Sequence, residues 1–331
     1  MSAVNLPALN GTSPLGFLAA LGTLRLVAEG PDAGGKLSWS EDTAAAVLHG
    51  RLGSIDAVVD ALTAAARTIP AGAVLPNGHP DIPRRKQGSG PDPMRVPREG
   101  FRTLVESAMA LDPVSAHAWL PVLLTDLAHD RQGRVQISLF SAPSGQQSLR
   151  TMFEKPLAQG ANVERLREAL TAWRRLDGFT GEYLDPHVLR SSADDPSGTS
   201  NEAGVPGATW LAMMALPLLR VTGNGTHVRT TLWRRVGLRE RMLWPLWREP
   251  LDIEAVRALI EHPALLPDPD GIFDWDRLDE LGVFDVLVAD RRRIEGRKSA
   301  GVLAPAPRSA RRPMPPLAAR SASTRTLADQ P

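Results

Sequence analysis

The chain has 331 residues, 43% of them hydrophobic and 23% charged, the composition of a soluble globular protein long enough for one large domain or two smaller ones. Its 38 basic and 37 acidic residues leave a formal charge of +1, so affinity for a polyanion has to come from local clustering and not from a global field. The absence of cysteine excludes disulfides, thiol nucleophiles and cysteine-held zinc or iron–sulfur centres.

Ser13 is placed to cap a helix and Pro14 to take its first position, after which Phe17, Leu18, Leu21, Leu24 and Val27 recur at helical spacing. No basic leader precedes this apolar run and Arg25 interrupts it. No window reaches the ~18 uninterrupted apolar residues of a membrane span, so the expected location is the cytoplasm, without membrane contact. Residues 24–28 are expected to turn into a strand that returns through the glycine-rich turn at 30–35 as a hairpin over 36–40. A further short strand at 45–49 and a helix over 55–68 capped by Ser54 complete this unit.

Residues 70–100, dense in Pro and Gly, read as a long loop carrying Arg84, Arg85 and Lys86. Helices are expected at 101–111 and 114–128, with Pro121 kinking the second, then a half-buried strand at 134–140 where Val135, Ile137 and Leu139 alternate with Gln136 and Ser138. The polar turn 141–148 opens into a helix from Leu149, and 163–176 is an amphipathic helix. Residues 177–207 have the polar, Gly- and Ser-rich composition of a surface loop.

The apolar texture returns at 209–221, followed by a tight turn at Gly223-Asn224-Gly225, a strand at 228–235, an extended piece at 241–247 and a helix at 253–261 capped by Asp252. A short helix at 273–281 is stopped by Gly282 and leads into a buried strand at 283–289. From residue 304 the chain is Pro, Ala, Ser and Arg, the composition of a disordered basic tail. Phe17-Leu18-Ala19-Ala20 is echoed by Trp210-Leu211-Ala212-Met213, and residues 56–62 by 253–259. The echo predicts an α+β fold in which two helix–hairpin–helix units, 1–160 and 161–303, share one core as a divergent duplication.

Catalytic patterns are sparse. Asp126, His129 and Asp130 form a local acid–histidine group with His117 upstream, but the further ligands of an open metal site are not identifiable. The acidic run from Asp268 to Glu280 lacks calcium-loop spacing, and no serine stands in a nucleophile elbow. No cofactor is expected.

Basic clusters are more coherent. Arg84, Arg85 and Lys86 form one; Arg291, Arg292, Arg293, Arg297 and Lys298 form another; Arg234, Arg235, Arg239 and Arg241 are interleaved with Trp233, Trp244 and Trp247. Such groups neutralise phosphates, and an exposed Trp among them would stack on bases, whereas a buried one belongs to the core. The expected backbone contacts are Arg84, Arg85, Lys86, Arg291, Arg292, Arg293, Arg297 and Lys298. The alternative is an enzyme acting on a phosphorylated or nucleotide substrate, in which the loops 141–148 and 177–207 converge with His129 or Glu182 in one cleft.

The segment from Leu6 to Val27, with Leu18-Ala19-Ala20-Leu21-Gly22 and Leu24-Arg25 at its centre, resembles the N-terminus of CRISPR-associated large-subunit-like proteins of subtype I-G, formerly I-U, which open with such a helix before a hairpin. The Trp-rich strand followed by Pro250-Leu251-Asp252 and a helix is also similar to that family, while 141–156 and 179–185 match no motif of it. The resemblance implies a non-catalytic subunit of an RNA-guided defence complex. Its partners would be RNA or DNA, contacted by shape and backbone charge, and the other subunits of the complex.

Overall fold

In the computed structural model the described residues are 2–76, 96–141, 148–188, 202–236, 239–268, 271–292 and 301–306. Val4 and Leu6 are buried while Ala3, Asn5 and Pro7 between them are exposed, and this period of two makes Ser2–Asn10 a strand, β1. The helix α1 (Pro14–Glu29) starts as the sequence predicts, with the Ser13 hydroxyl accepting from the Gly16 N–H at 3.4 Å. It does not yield to a strand at residue 24. Every residue from Pro14 to Val27 is buried, and continuing the helix satisfies each backbone group inside that apolar surround.

The strands β2 (Lys36–Trp39) and β3 (Ala45–Gly50) therefore pair with each other, and β1 adds on the far side to give the antiparallel order β1-β3-β2. Between α1 and β2, buried Asp32 accepts from the backbone N–H of Arg51 and from its side-chain Nε, the latter at 3.4 Å. A Cβ on Gly50 would meet the Asp32 carboxylate at 2.1 Å, so a larger residue there would displace that carboxylate from Arg51. Burial alone would raise the Asp32 pKa, but the hydrogen bonds from Arg51 outweigh it and the net shift is downward. A carboxylate with a depressed folded pKa contributes stability above the unfolded value of about 3.9 and loses it as pH falls through the folded one. Urea midpoints taken from pH 6 down to pH 3 are therefore expected to fall more steeply for the natural protein than for Asp32→Asn.

The helix α2 (Ile55–Arg67), capped by Ser54, turns Val58, Val59 and Leu62 inward. After it come α3 (Arg98–Leu111) and α4 (Pro113–Leu123), the latter capped by the Asp112 carboxylate on the Ser115 N–H. The helix expected to reach residue 128 ends at Leu123. Pro121 withholds one ladder hydrogen bond, and from Leu124 the backbone is extended in β4 (Leu124–His129), paired with β5 (Val135–Ile137).

The helices α5 (Leu149–Gly160) and α6 (Val163–Thr171) are capped by Ser148 and Asn162. The two-residue strands β6 (Leu176–Asp177) and β7 (Ala203–Gly204) then lead into α7 (Pro206–Met214), all nine residues of which are buried. Around α7 the chain replaces side chains by glycine. A Cβ on Gly22 would lie 1.8 Å from the Leu211 carbonyl oxygen, and one on Gly160 would lie 2.3 Å from that of Pro206. The backbones of α1 and α5 thus touch α7 directly.

The hairpin β8 (Val221–Gly223) and β9 (Val228–Thr230) precedes a four-stranded antiparallel sheet, β10 (Trp233–Val236), β11 (Arg239–Trp247), β12 (Val283–Arg292) and β13 (Val302–Pro305), in that spatial order. Two helices, α8 (Ile253–Ile260) and α9 (Trp275–Glu280), lie between β11 and β12. The Trp244 and Trp247 indoles donate to the carbonyls of Gly11 and Leu37 at 2.8 and 2.7 Å, and with Trp39 they surround Phe17. One hydrophobic core accordingly runs from Val4 to Leu303 through both expected halves.

The architecture is mixed α and β. The two stretches that echo each other, in α1 and α7, are packed against one another, but the strands following them differ. One antiparallel pair separates α1 from α2, whereas β8 to β11 separate α7 from α8, and β7 pairs with β6 where β1 pairs with β3. The helix–hairpin–helix duplication is thus not shown by the strand order or pairing among the described residues. The described part of 177–207 is also not a plain surface loop, since Phe179, Glu182, Leu184, Asp185 and Val188 are buried. The last strand carries the fold to Pro305, past residue 304, and the expected tail from 307 lies outside the described residues.

Candidate nucleic-acid interface

The turn at Gly223-Asn224-Gly225 sets the register of the β8–β9 hairpin. His227 donates its N–H to the Asn224 carboxamide oxygen at 3.1 Å, Gly225 takes φ +95°, and Thr222 stands opposite Arg229. Two residues further out, the Arg220 N–H donates to the Thr231 hydroxyl and the Thr231 N–H to the Arg220 carbonyl, both at 2.9 Å. The chain then passes into β10, which brings Arg234 and Arg235 beside the hairpin. These elements enclose a cleft of about 690 Å³ lined by Arg220, Arg229, Arg234 and Arg235, with Glu240 and Glu261 as its acidic residues.

Among the described residues, four guanidinium groups against two carboxylates give the cleft lining a positive surplus. Arg229 is exposed, and among the described residues no carboxylate pairs with it. Arg234 is half-buried and donates to the Trp233 carbonyl at 2.8 Å. Burial, and then the charge of Arg229, lower its pKa, with Glu261 acting against them. Arg220 pairs with Glu261 at 3.2 Å.

The structure redistributes the expected contacts. Arg84, Arg85, Lys86, Arg293, Arg297 and Lys298 lie outside the described residues. Arg292 is exposed at the end of β12 and donates to the Pro305 carbonyl at 2.9 Å. Arg291 is turned inward, which corrects its assignment to a polyanion-binding surface. Its Nη1 donates to the carbonyls of Glu182 (3.3 Å) and Gly301 (3.1 Å), its Nη2 to those of Leu139 (3.3 Å) and Phe140 (2.9 Å), and the guanidinium stands 5.9 Å from the Trp233 ring centre. Burial pushes its pKa down to about 10, so it remains a cation at neutral pH, held by neutral acceptors.

Trp233, Trp244 and Trp247 are all buried, so the Trp residues among these arginines do not present stacking surfaces. Arg241 is held by Asp290 at 3.0 Å across β11 and β12. Arg291 ties Phe140, which precedes the loop 141–148, to Glu182 within 177–207, but His129 is elsewhere, its N–H donating to the Gly225 carbonyl at 3.0 Å. Asp126 faces Arg98 at 3.5 Å. The Arg134 side chain bonds to Asp130 at 2.6 Å and, with backbone donors, lowers its pKa to about 2. Among the described residues no three His, Asp or Glu side chains are grouped to hold a metal ion. No helix among them is long and apolar enough to cross a membrane.

No family model and no curated protein matches the chain. Sequence reasoning reached Arg234 and Arg235 in the cleft and missed Arg220 and Arg229. The signal was present in the tight turn, because a hairpin closed at 224–227 necessarily sets 222 against 229 and brings 220 beside 231.

Proposed function

We propose that this protein is a non-catalytic nucleic-acid-binding subunit of a CRISPR-type RNA-guided complex, holding RNA or DNA by its backbone in the β8–β11 cleft. The observation that carries this reading is the convergence of Arg220, Arg229, Arg234 and Arg235 on one concavity. Arginine presents a planar fork of donors that matches phosphate, and clustered guanidinium groups in a cleft raise the local concentration of polyanion. The helix α1 followed by the antiparallel β2–β3 pair keeps the pattern on which the family resemblance rests.

Of the rings lining the cleft among the described residues, the large one, Trp233, is buried against Phe140 and Arg291, and the exposed one, His227, is a small imidazole on the hairpin, which favours phosphate contact over extended base stacking. The cleft, about 690 Å³, is of a size for a few nucleotides of a single strand.

Fluorescence anisotropy with labelled single-stranded RNA and duplex DNA across a salt series tests the reading. Binding is expected at low salt, tighter for the single strand, with each Arg→Ala change at Arg229 or Arg235 reducing the logarithmic salt slope by roughly 0.7. A strand of abasic sites is expected to bind about as well as a normal one. Absence of binding at low salt, or binding indifferent to Arg229 and Arg235, overturns the proposal.

A further inference from the structure

Glu261 is the C-cap residue of α8, where the partial negative charge of the helix end disfavours a carboxylate. Its position is explained by what it faces across the cleft. Its Oε1 stands 3.2 Å from Arg220 Nε in an ion pair and accepts from the Thr231 hydroxyl at 3.3 Å, so one oxygen sits at the meeting point of a guanidinium and a hydroxyl donor. The Thr231 hydroxyl is itself fixed by the Arg220 N–H at 2.9 Å, which makes the two donors a single preformed unit on the β8–β9 hairpin.

That donor set is suited to a phosphate oxygen. A guanidinium and a hydroxyl converging on one point are common partners of phosphate and carry no preference for a carboxylate. The pair is also poorly protected, with the Arg220 side chain 70% and the Glu261 side chain 36% exposed, and exposed ion pairs contribute little. Glu261 further offsets the mutual repulsion of the cleft arginines, since its charge acts on Arg234 against that of Arg229.

We propose that Glu261 is an internal stand-in for a ligand phosphate. It occupies the Arg220–Thr231 position in the free protein and gives it up to a backbone phosphate of the bound strand. This rests on the nucleic-acid reading of the cleft and adds to it a built-in competitor, which weakens binding while keeping the empty site neutralised.

Removing any negative charge from the cleft helps an anion, so the test compares Glu261 with Glu240, which lines the same cleft without contacting Arg220. A labelled single-stranded oligonucleotide is titrated at about 50 mM salt against the natural protein, E261Q, E240Q, R220A and the R220A/E261Q double variant. E261Q is expected to bind roughly fivefold tighter and E240Q less than about twofold tighter. The double variant should return to the affinity of R220A, because the gain requires a freed Arg220. Equal gains in E261Q and E240Q, or a gain in E261Q that survives loss of Arg220, overturn the proposal. If no variant binds a strand, the nucleic-acid reading falls, and inorganic phosphate decides for Glu261 by thermal shift. A larger phosphate-dependent rise in melting temperature for E261Q than for E240Q supports the stand-in, and equal rises overturn it.

Discussion

Replacing Arg291 with methionine is expected to lower folding stability by about 3–5 kcal/mol, read as a reduced urea midpoint. Methionine retains much of the apolar stem and supplies no donor, leaving the carbonyls of Leu139, Phe140, Glu182 and Gly301 without their shared partner. Losing the partner of a buried polar group costs about 1–3 kcal/mol each; the sum is moderated by relaxation and by relief from desolvating the cation. Arg291→Lys is expected to lose nearly as much, because a single ammonium cannot reach four acceptors that the two terminal nitrogens of the fork divide between them. Since the guanidinium lies over Trp233, both variants should also change the near-ultraviolet circular dichroism of that indole. A lysine variant as stable as the natural protein would show that charge alone, without the fork, holds these three segments together.

Gly22→Ala is expected to destabilise the protein by about 3 kcal/mol or more, opposite in sign to its effect on an isolated helix. Helix propensity alone favours alanine over a mid-helix glycine by up to about 1 kcal/mol. Packing reverses this, because the added methyl would stand 1.8 Å from the Leu211 carbonyl oxygen and 2.8 Å from its carbon, both backbone atoms that no rotamer change can move. Relief requires α1 and α7 to separate, and all nine α7 residues are buried. Chemical denaturation of G22A beside an alanine change at Gly72, where a Cβ meets nothing within 4 Å but φ is +84°, separates a packing clash from backbone strain. If G22A were as stable as the natural chain, the backbone contact between the two helices would be refuted.

What the sequence discloses of the fold is what local chemistry decides. Ser13, Ser54, Ser148 and Asp252 all cap the helices expected after them, because each contact is made within three residues along the chain. Strand β1 is not evident in the sequence because its alternation breaks after Pro7, where Leu9 and not Ala8 is buried and the pairing shifts register, and its partner, β3, lies about forty residues away. Leu24–Val27 and Leu124–His129 are reversed for a related reason. Both are short segments compatible with helix or strand, and the surround decides: burial against α7 for the first, pairing with β5 for the second.

The candidate site divides in the same way. Clustering along the chain drew notice to Arg291, yet neighbours in sequence on a strand face opposite ways, and Arg291 points into the protein while Arg292 points out. Arg220 and Arg229 lie in no run of charge and become neighbours only through the hairpin.

The contact of α1 with α7 also sets an order of events during synthesis. Arg25 donates to the Met214 carbonyl at 2.7 Å across 189 residues of chain. At about 5–20 residues per second, ribosomes need about 10–40 s to make the intervening chain. For that interval a nascent helix that is apolar nearly all round lacks the α7 surface that covers it in the folded protein.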